Sequence, residues 1–318
     1  MPGHKKQHYI PICYLKAWYD PLCSEDPSPY VWIFSANGEN VRNKSPINIF
    51  YENNFYTIKR ADGKRDLTLE NGLNELETQF SLLRENKLKQ HLNLTPDEHI
   101  LLCAFIAAMH ARTKVHIKHE QGQWKETLDM MDKMREWAKT ASSEQKEIMA
   151  RPPRTKKQRR RSLSYADVKE LANNPIQHSL MPLIDIETPL LCALDLAILE
   201  TNEQPGFITS DNPCVWEDPE AYKRPPFWRA PGLMYESIVI IFPISPQQAI
   251  VLNRKGYNGY INVNEKTVDE INRTIRFHAG SYFIVNSNFK KDIWFDPGQE
   301  PENSWEKMQT EKEKKEKS

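Results

Sequence analysis

Between Leu69 and Leu88, apolar side chains (Leu69, Leu73, Leu76, Phe80, Leu83, Leu88) recur at intervals of mostly three or four, while Glu70 and Glu77 share another face two turns apart. That is the period of an amphipathic helix. Thr95-Pro96-Asp97-Glu98 then reads as a helix start, with Thr95 as cap, Pro96 in the first turn and Glu98 completing a capping box. The helix expected over roughly 96–139 is apolar almost all round from Ile100 to Met109, which marks it as buried. It becomes polar from His110 onward, and Arg112, about one turn past the buried part, is expected to face inward. Further helices are expected from about Ser164 to Leu171, from Leu180 to Leu199 and from Thr267 to Ala279.

Strand signals occupy Tyr30–Phe34, a run ending at Asn53–Ile58, Ser237–Pro243, Ala249–Leu252, Gly259–Val263 and Tyr282–Asn286. They are rich in β-branched and aromatic residues and are bounded by turn formers. The last strands are closely spaced, which favours antiparallel pairing. Lys5 to His8 reads as an extended entry that breaks at Ile10-Pro11 before Tyr14, Leu15 and Trp18 take helical spacing. Gly206 to Pro213 is an apolar strand that stops abruptly in Ser210-Asp211-Asn212-Pro213, an arrangement able to hold a carboxylate still. The fold class implied is α+β, a mainly antiparallel sheet packed against long helices.

The 318 residues suit one domain over about 1–290 with an insertion near 140–165. Within that insertion Arg151 to Arg161 carries seven basic residues and no acid, which reads as a flexible linker or a nucleic-acid patch. The absence of interleaved aromatic residues weakens single-strand binding. Residues 291–318 are expected to be a charged, solvated tail. Basic and acidic side chains balance at 43 each, so no global field draws the chain to nucleic acid or anionic lipid. No apolar run reaches the roughly 18 residues of a membrane span. The opening Met1-Pro2-Gly3-His4-Lys5-Lys6 lacks a signal-like apolar core, which gives an expectation of an intracellular, cytoplasmic protein. Five scattered cysteines without Cys-x-x-Cys spacing read as reduced thiols.

The candidate chemistry lies in His8, Asp211, Arg112 and Ser210 as catalytic residues, with Lys5, Gln7, Glu70, Glu77 and Asn212 as binding residues. His8 oriented by Asp211 would be a general base, and His8, Asp211 and one glutamate would suit a divalent cation, with Arg112 neutralising a phosphate. Ser210 as nucleophile lacks a Gly-x-Ser-x-Gly elbow. A purely structural account has Arg112 paired with an acid, Asp211 and Asn212 capping a turn and His8 bonding a backbone carbonyl. His110, His116 and His119, at spacings of six and three, do not form a His-Glu-x-x-His pair and read as a solvated helix face. Phosphate-loop and Rossmann glycine motifs are absent, which argues against nucleotide-triphosphate hydrolysis and dinucleotide chemistry.

The segments Lys6-Gln7-His8-Tyr9-Ile10-Pro11, Tyr14-Leu15-Lys16, the Glu70/Glu77 helix, Arg112-Thr113, Phe207-Ile208-Thr209-Ser210-Asp211-Asn212-Pro213 and Phe242-Pro243-Ile244-Ser245-Pro246 together resemble the domain-of-unknown-function family DUF4238. The resemblance runs from residue 5 to about 288. That family name carries no activity, so it supports boundaries and the choice of residues and leaves mechanism to chemistry. Two functions are expected from the residues. The first is a hydrolase, a metal-dependent phosphodiesterase or nuclease. The second is a non-catalytic binding or regulatory protein whose Arg112 and Lys5/Lys6 region recognises an anionic ligand or nucleic acid.

Overall fold

A computed structural model describes residues 5–60, 62–150, 163–299 and 301–316. The basic run Arg151–Arg161 lies outside the described residues. The strands are β1 (Lys6–His8), β2 (Val31–Ser35), β3 (Val41–Lys44), β4 (Tyr51–Asn53), β5 (Ile58–Lys59), β6 (Arg65–Asp66), β7 (Asp195–Glu200), β8 (Thr209–Ser210), β9 (Val215–Glu217), β10 (Val239–Pro243), β11 (Gln248–Asn253), β12 (Gly259–Asn262) and β13 (Tyr282–Val285). The helices are α1 (Ile12–Leu15), α2 (Thr68–Leu83), α3 (Pro96–Ala111), α4 (Lys114–Thr140), α5 (Ser143–Ala150), α6 (Tyr165–Asn173), α7 (Pro175–Cys192), α8 (Glu265–Phe277) and α9 (Trp305–Glu316).

One sheet has five strands in the order β12-β7-β11-β10-β9, another has four in the order β3-β2-β13-β8, and β1-β4 and β5-β6 form two-stranded ribbons. Every pairing is antiparallel except β12 with β7, which run parallel from Gly259↔Ala197 to Asn262↔Glu200. The architecture is α+β, as the patterning implies.

Helix α3 starts as its sequence dictates: Thr95 accepts from the Glu98 N–H, and the Glu98 carboxylate accepts from the Thr95 N–H. Most of its apolar circumference is buried, with Leu102, Phe105, Ile106 and Met109 inaccessible, while Ile100 at its start is 51% exposed. Phe105 stacks on Phe80 of α2 at 3.7 Å between ring centroids, so the amphipathic face of α2 finds its partner in α3. This core continues through Tyr14, Leu15 and Trp18 to Ile240, Phe242 and Ile250 of the five-stranded sheet. A second apolar cluster joins Phe34, Phe207, Phe283, Ile271, Ile275 and Trp294.

Three elements differ from the sequence expectation. The helix expected over 96–139 is two helices, α3 and α4, bent by 62°. Arg112 leaves helical geometry at φ −94°, ψ 0°, and the Thr113 hydroxyl caps α4 by accepting from the His116 N–H at 3.2 Å. The apolar stretch Leu180–Leu199 is helix only to Cys192; Asp195–Glu200 is β7, hydrogen-bonded on both sides by β11 and β12. A run as short as Leu196-Ala197-Ile198-Leu199 has no periodicity with which to declare itself. Residues 291–299 do not float free. Trp294 is fully buried and donates through Nε1 to Asp269 Oδ1 at 2.9 Å, and farther on Arg229 pairs with Glu306 of α9. Within the expected insertion, Ser143–Ala150 forms a helix. Among the described residues no single helix is long and apolar enough to cross a membrane.

Candidate functional site

Strand β1 carries alternate side chains to opposite faces, as any strand must. Gln7 is buried and committed: its Nε2 donates to Thr57 Oγ1 at 3.1 Å, and its Oε1 accepts from the Tyr56 N–H at 2.6 Å. His8 points the other way, against Tyr51, and lines a cleft of about 500 Å³. Pro11 ends the extended segment, and α1 turns Cys13 and Lys16 toward the same cleft. The facing wall is α2, whose Glu70, Leu73, Asn74 and Glu77 follow one another at helical spacing along the lining. Lys6 and Tyr56 complete it.

Behind Glu77 sits Arg112, wholly inaccessible at the joint between α3 and α4. It donates from Nη1 to Glu77 Oε1 at 2.7 Å and from Nη2 to Met109 Sδ at 2.9 Å. Burial by itself would lower its pKa; Glu77 and Tyr56 more than offset this, so the guanidinium stays charged. Its Nε has no hydrogen-bond partner. Three residues singled out from the sequence, His8, Glu70 and Glu77, therefore line one cleft, whereas Arg112, expected to neutralise a phosphate, is sealed behind Glu77 and does not reach the lining.

The others do not. Asp211 is a structural carboxylate: Oδ1 accepts from the Gly280 N–H at 2.8 Å, and Oδ2 from the N–H groups of Ser281 at 2.8 Å and Tyr282 at 3.2 Å. Burial raises its pKa, and those N–H groups oppose the shift. The neighbour its charge acts on is Tyr9, whereas the charges acting on His8 are Lys6 and Arg112. The expected His8–Asp211 pair is thus not formed. Ser210 Oγ accepts from the Asn212 N–H at 3.1 Å, and Asn212 Nδ2 donates to the His278 carbonyl at 3.0 Å. The Ser210-Asp211-Asn212 triplet fastens the turn between α8 and β13. Lys5 lies outside the lining, and its carbonyl accepts from the Asn54 N–H at 2.8 Å. Gln7 is structural.

Among the described residues no group of three or more His, Cys, Asp and Glu side chains is disposed to hold a metal ion. His8, Asp211 and a helix glutamate, the set anticipated for a divalent cation, are not gathered. The Cys13 thiol donates to the Glu77 carbonyl at 3.8 Å, and burial pushes its pKa up. It is therefore a poor nucleophile near neutrality. Burial acts in the opposite sense on His8: it lowers the pKa, opposed by the carbonyls of Ile47 and Pro46, and leaves a neutral imidazole at neutral pH. Its Nε2 is buried and has no hydrogen-bond partner.

A cluster that the sequence reading placed in solvent lies at the same helix joint. His110 Nδ1 meets Glu187 Oε1 of α7 at 3.0 Å, and the His110 ring stacks on Trp216 at 4.2 Å. The His116 ring lies 4.7 Å from that of His110 and its Nε2 is 3.8 Å from Glu120 Oε1, which shares its carboxylate with Ser179. On an unbroken helix a spacing of six would put His110 and His116 on different faces. The 62° bend brings them together.

Burial, with smaller contributions from His110 and His119, pulls the His116 pKa from 6.5 to about 3. Unfolded chain then binds the extra proton between those values, so stability is fully present above the unfolded pKa and lost as pH falls toward the folded one. Glu120, raised mainly by burial, has the opposite sign: its contribution is present at low pH and lost as pH rises past its unfolded value of 4.5. Replacing His116 with glutamine should flatten the acid limb of a stability–pH profile by on the order of 2–4 kcal/mol by pH 4, read by urea unfolding. Superimposable profiles would assign the acid sensitivity to another group.

The family model described as "Protein of unknown function (DUF4238)" matches residues 6–289. No curated protein and no solved structure matches.

Proposed function

Since the chain belongs to the DUF4238 family, whose description names no activity, we propose from its own residues that the cleft is the catalytic site of an intracellular hydrolase acting on an anionic ester of the phosphodiester class. The observation that carries this reading is the convergence of His8 with Glu70 and Glu77 on one open cleft, Glu77 being braced from behind by the buried Arg112.

Two exposed lysines, Lys6 and Lys16, sit on the lining and attract an anion electrostatically. The carbonyls of Ile47 and Pro46 favour an N–H on the His8 ring directed at them. Nε2, unpartnered, is then the nitrogen left to accept. In the proposed step the ring turns Nε2, buried in the resting conformation, toward the cleft, where it takes a proton from water as the water oxygen bonds to phosphorus. The same proton is then given to the departing alkoxide as the old P–O bond breaks. Arg112 acts by fixing the Glu77 carboxylate in the cleft wall. Five cysteines, none in a disulfide, suit a reducing compartment.

A second reading, ligand binding without chemistry, is favoured by one fact: no carboxylate orients the His8 imidazole, because Asp211 is elsewhere. His8→Gln separates the two. With bis(p-nitrophenyl) phosphate in the presence of EDTA, the hydrolase reading expects kcat to fall about 10²–10⁴-fold. The melting temperature should stay within about 2 °C, since the ring lies on the cleft wall and its Nε2 makes no hydrogen bond. Unchanged weak binding with no turnover in either protein supports the binding reading; a folded His8→Gln variant with full turnover ends the first.

A further inference from the structure

A second cavity, of about 520 Å³, opens where the turn after α2 meets β7 and the loop between β10 and β11. It is separate from the His8 cleft and shares none of its lining residues. Much of the wall is uncharged: Thr201, Asn202, Ser245, Gln248 and Asn262. Each charged group on the lining has a hydrogen-bonding partner: His91 Nε2 lies 2.8 Å from Glu200 Oε1, and Lys89 Nζ lies 2.5 Å from Glu85 Oε2.

Gln248 is 5% exposed. Its Nε2 donates to the Leu88 carbonyl at 3.0 Å and to Glu200 Oε1 at 2.8 Å, which uses both amide hydrogens and fixes the orientation of the group. Its Oε1 is left buried without a hydrogen-bond partner. A buried acceptor of this kind costs stability unless a donor reaches it. Beside it, His91 is held at φ 55°, a left-handed conformation uncommon outside glycine, with its ring stacked on Tyr260 at 4.9 Å. Backbone strain, a locked ring and an orphan acceptor coincide at one cavity.

We propose that this cavity binds a neutral polyhydroxylated ligand of the saccharide class. Hydroxyl groups supply the donor that Gln248 Oε1 lacks and a second to the Glu200 carboxylate, while sugar oxygens accept from the amides of Asn202 and Asn262. An anion would meet the Glu200 carboxylate, which is already held by Gln248 and His91. The volume lies within the roughly 300–1,000 Å³ of small-molecule sites.

Saturation-transfer NMR of the full chain with D-glucose, N-acetyl-D-glucosamine and D-ribose as probes tests this, with inorganic phosphate as competitor. Ring-proton saturation is expected from at least one sugar at millimolar concentration, undiminished by phosphate. Gln248→Leu should weaken it about tenfold or more. Because that change also removes two structural bonds, the rim variant Asn202→Ala/Asn262→Ala serves as a second arm; it should weaken binding several-fold with an unchanged melting temperature. No saturation from any sugar, displacement by phosphate, or wild-type binding in both variants would overturn the proposal.

Discussion

Asp211→Ala is expected to destabilise the protein by about 2–4 kcal/mol, through loss of hydrogen bonds to a charged acceptor. In a chain of this size that is a fall of roughly 3–6 °C in melting temperature. The carboxylate receives N–H groups from Gly280, Ser281 and Tyr282 and ties β8 to the start of β13, 69 to 71 residues later. The approach is close: a Cβ at Gly280 would come within 3.4 Å of Asp211 Oδ2 and 2.7 Å of Val115 Cγ2. Asp211→Asn keeps one acceptor oxygen and should lose about half as much. Turnover should decline only as far as the folded fraction does. A folded Asp211→Ala protein with a wild-type melting temperature and no turnover would return this residue to the catalytic machinery. Urea unfolding alongside phosphodiester hydrolysis reads both quantities.

Glu77→Ala should cost more, about 3–5 kcal/mol, because it strands a wholly buried guanidinium. The Coulombic gain of a buried pair is largely consumed by desolvation, so the loss arises from the orphaned partner rather than from the pair itself. The double variant Glu77→Leu/Arg112→Met removes both charges at similar volume and should recover most of that stability while abolishing activity at the cleft. A double-mutant cycle measures the coupling. A Glu77→Ala protein within about 1 kcal/mol of wild type would show that Arg112 finds compensation elsewhere.

Much of this architecture can be read from side-chain period. The α3 start is written in Thr95 and Glu98, its burial in the apolar run that follows, and the pairing of α2 with it in Leu73, Phe80 and Leu83. The inward turn of Arg112 and the shared orientation of Glu70 and Glu77 follow from the same arithmetic, which is why the two glutamates line the cleft and Arg112 meets Glu77 from behind. What period does not encode is a change of direction. No glycine or proline marks the break at Arg112-Thr113; the available signal is Thr113, a capping residue followed three positions later by the N–H it accepts. Without that break His110 and His116 look like surface residues, and with it they face Glu187 and Glu120. The Ser210-Asp211-Asn212 turn is legible as a rigid carboxylate. What it holds is not, because its donors lie on backbone that any sequence supplies.

The four-stranded sheet joins β2 near one end of the chain to β13 near the other, in register from Trp32↔Val285 to Ser35↔Tyr282. On a ribosome adding about 5–20 residues per second, β2 and β3 emerge together, yet the neighbour that closes the inner edge of β2 follows only after tens of seconds. Throughout that interval Val31, Ile33 and Phe34 stand beside an unpaired strand edge. Nascent chains are accordingly most prone to mispair before Tyr282 leaves the exit tunnel, and synthesis arrested there should yield aggregated rather than folded product.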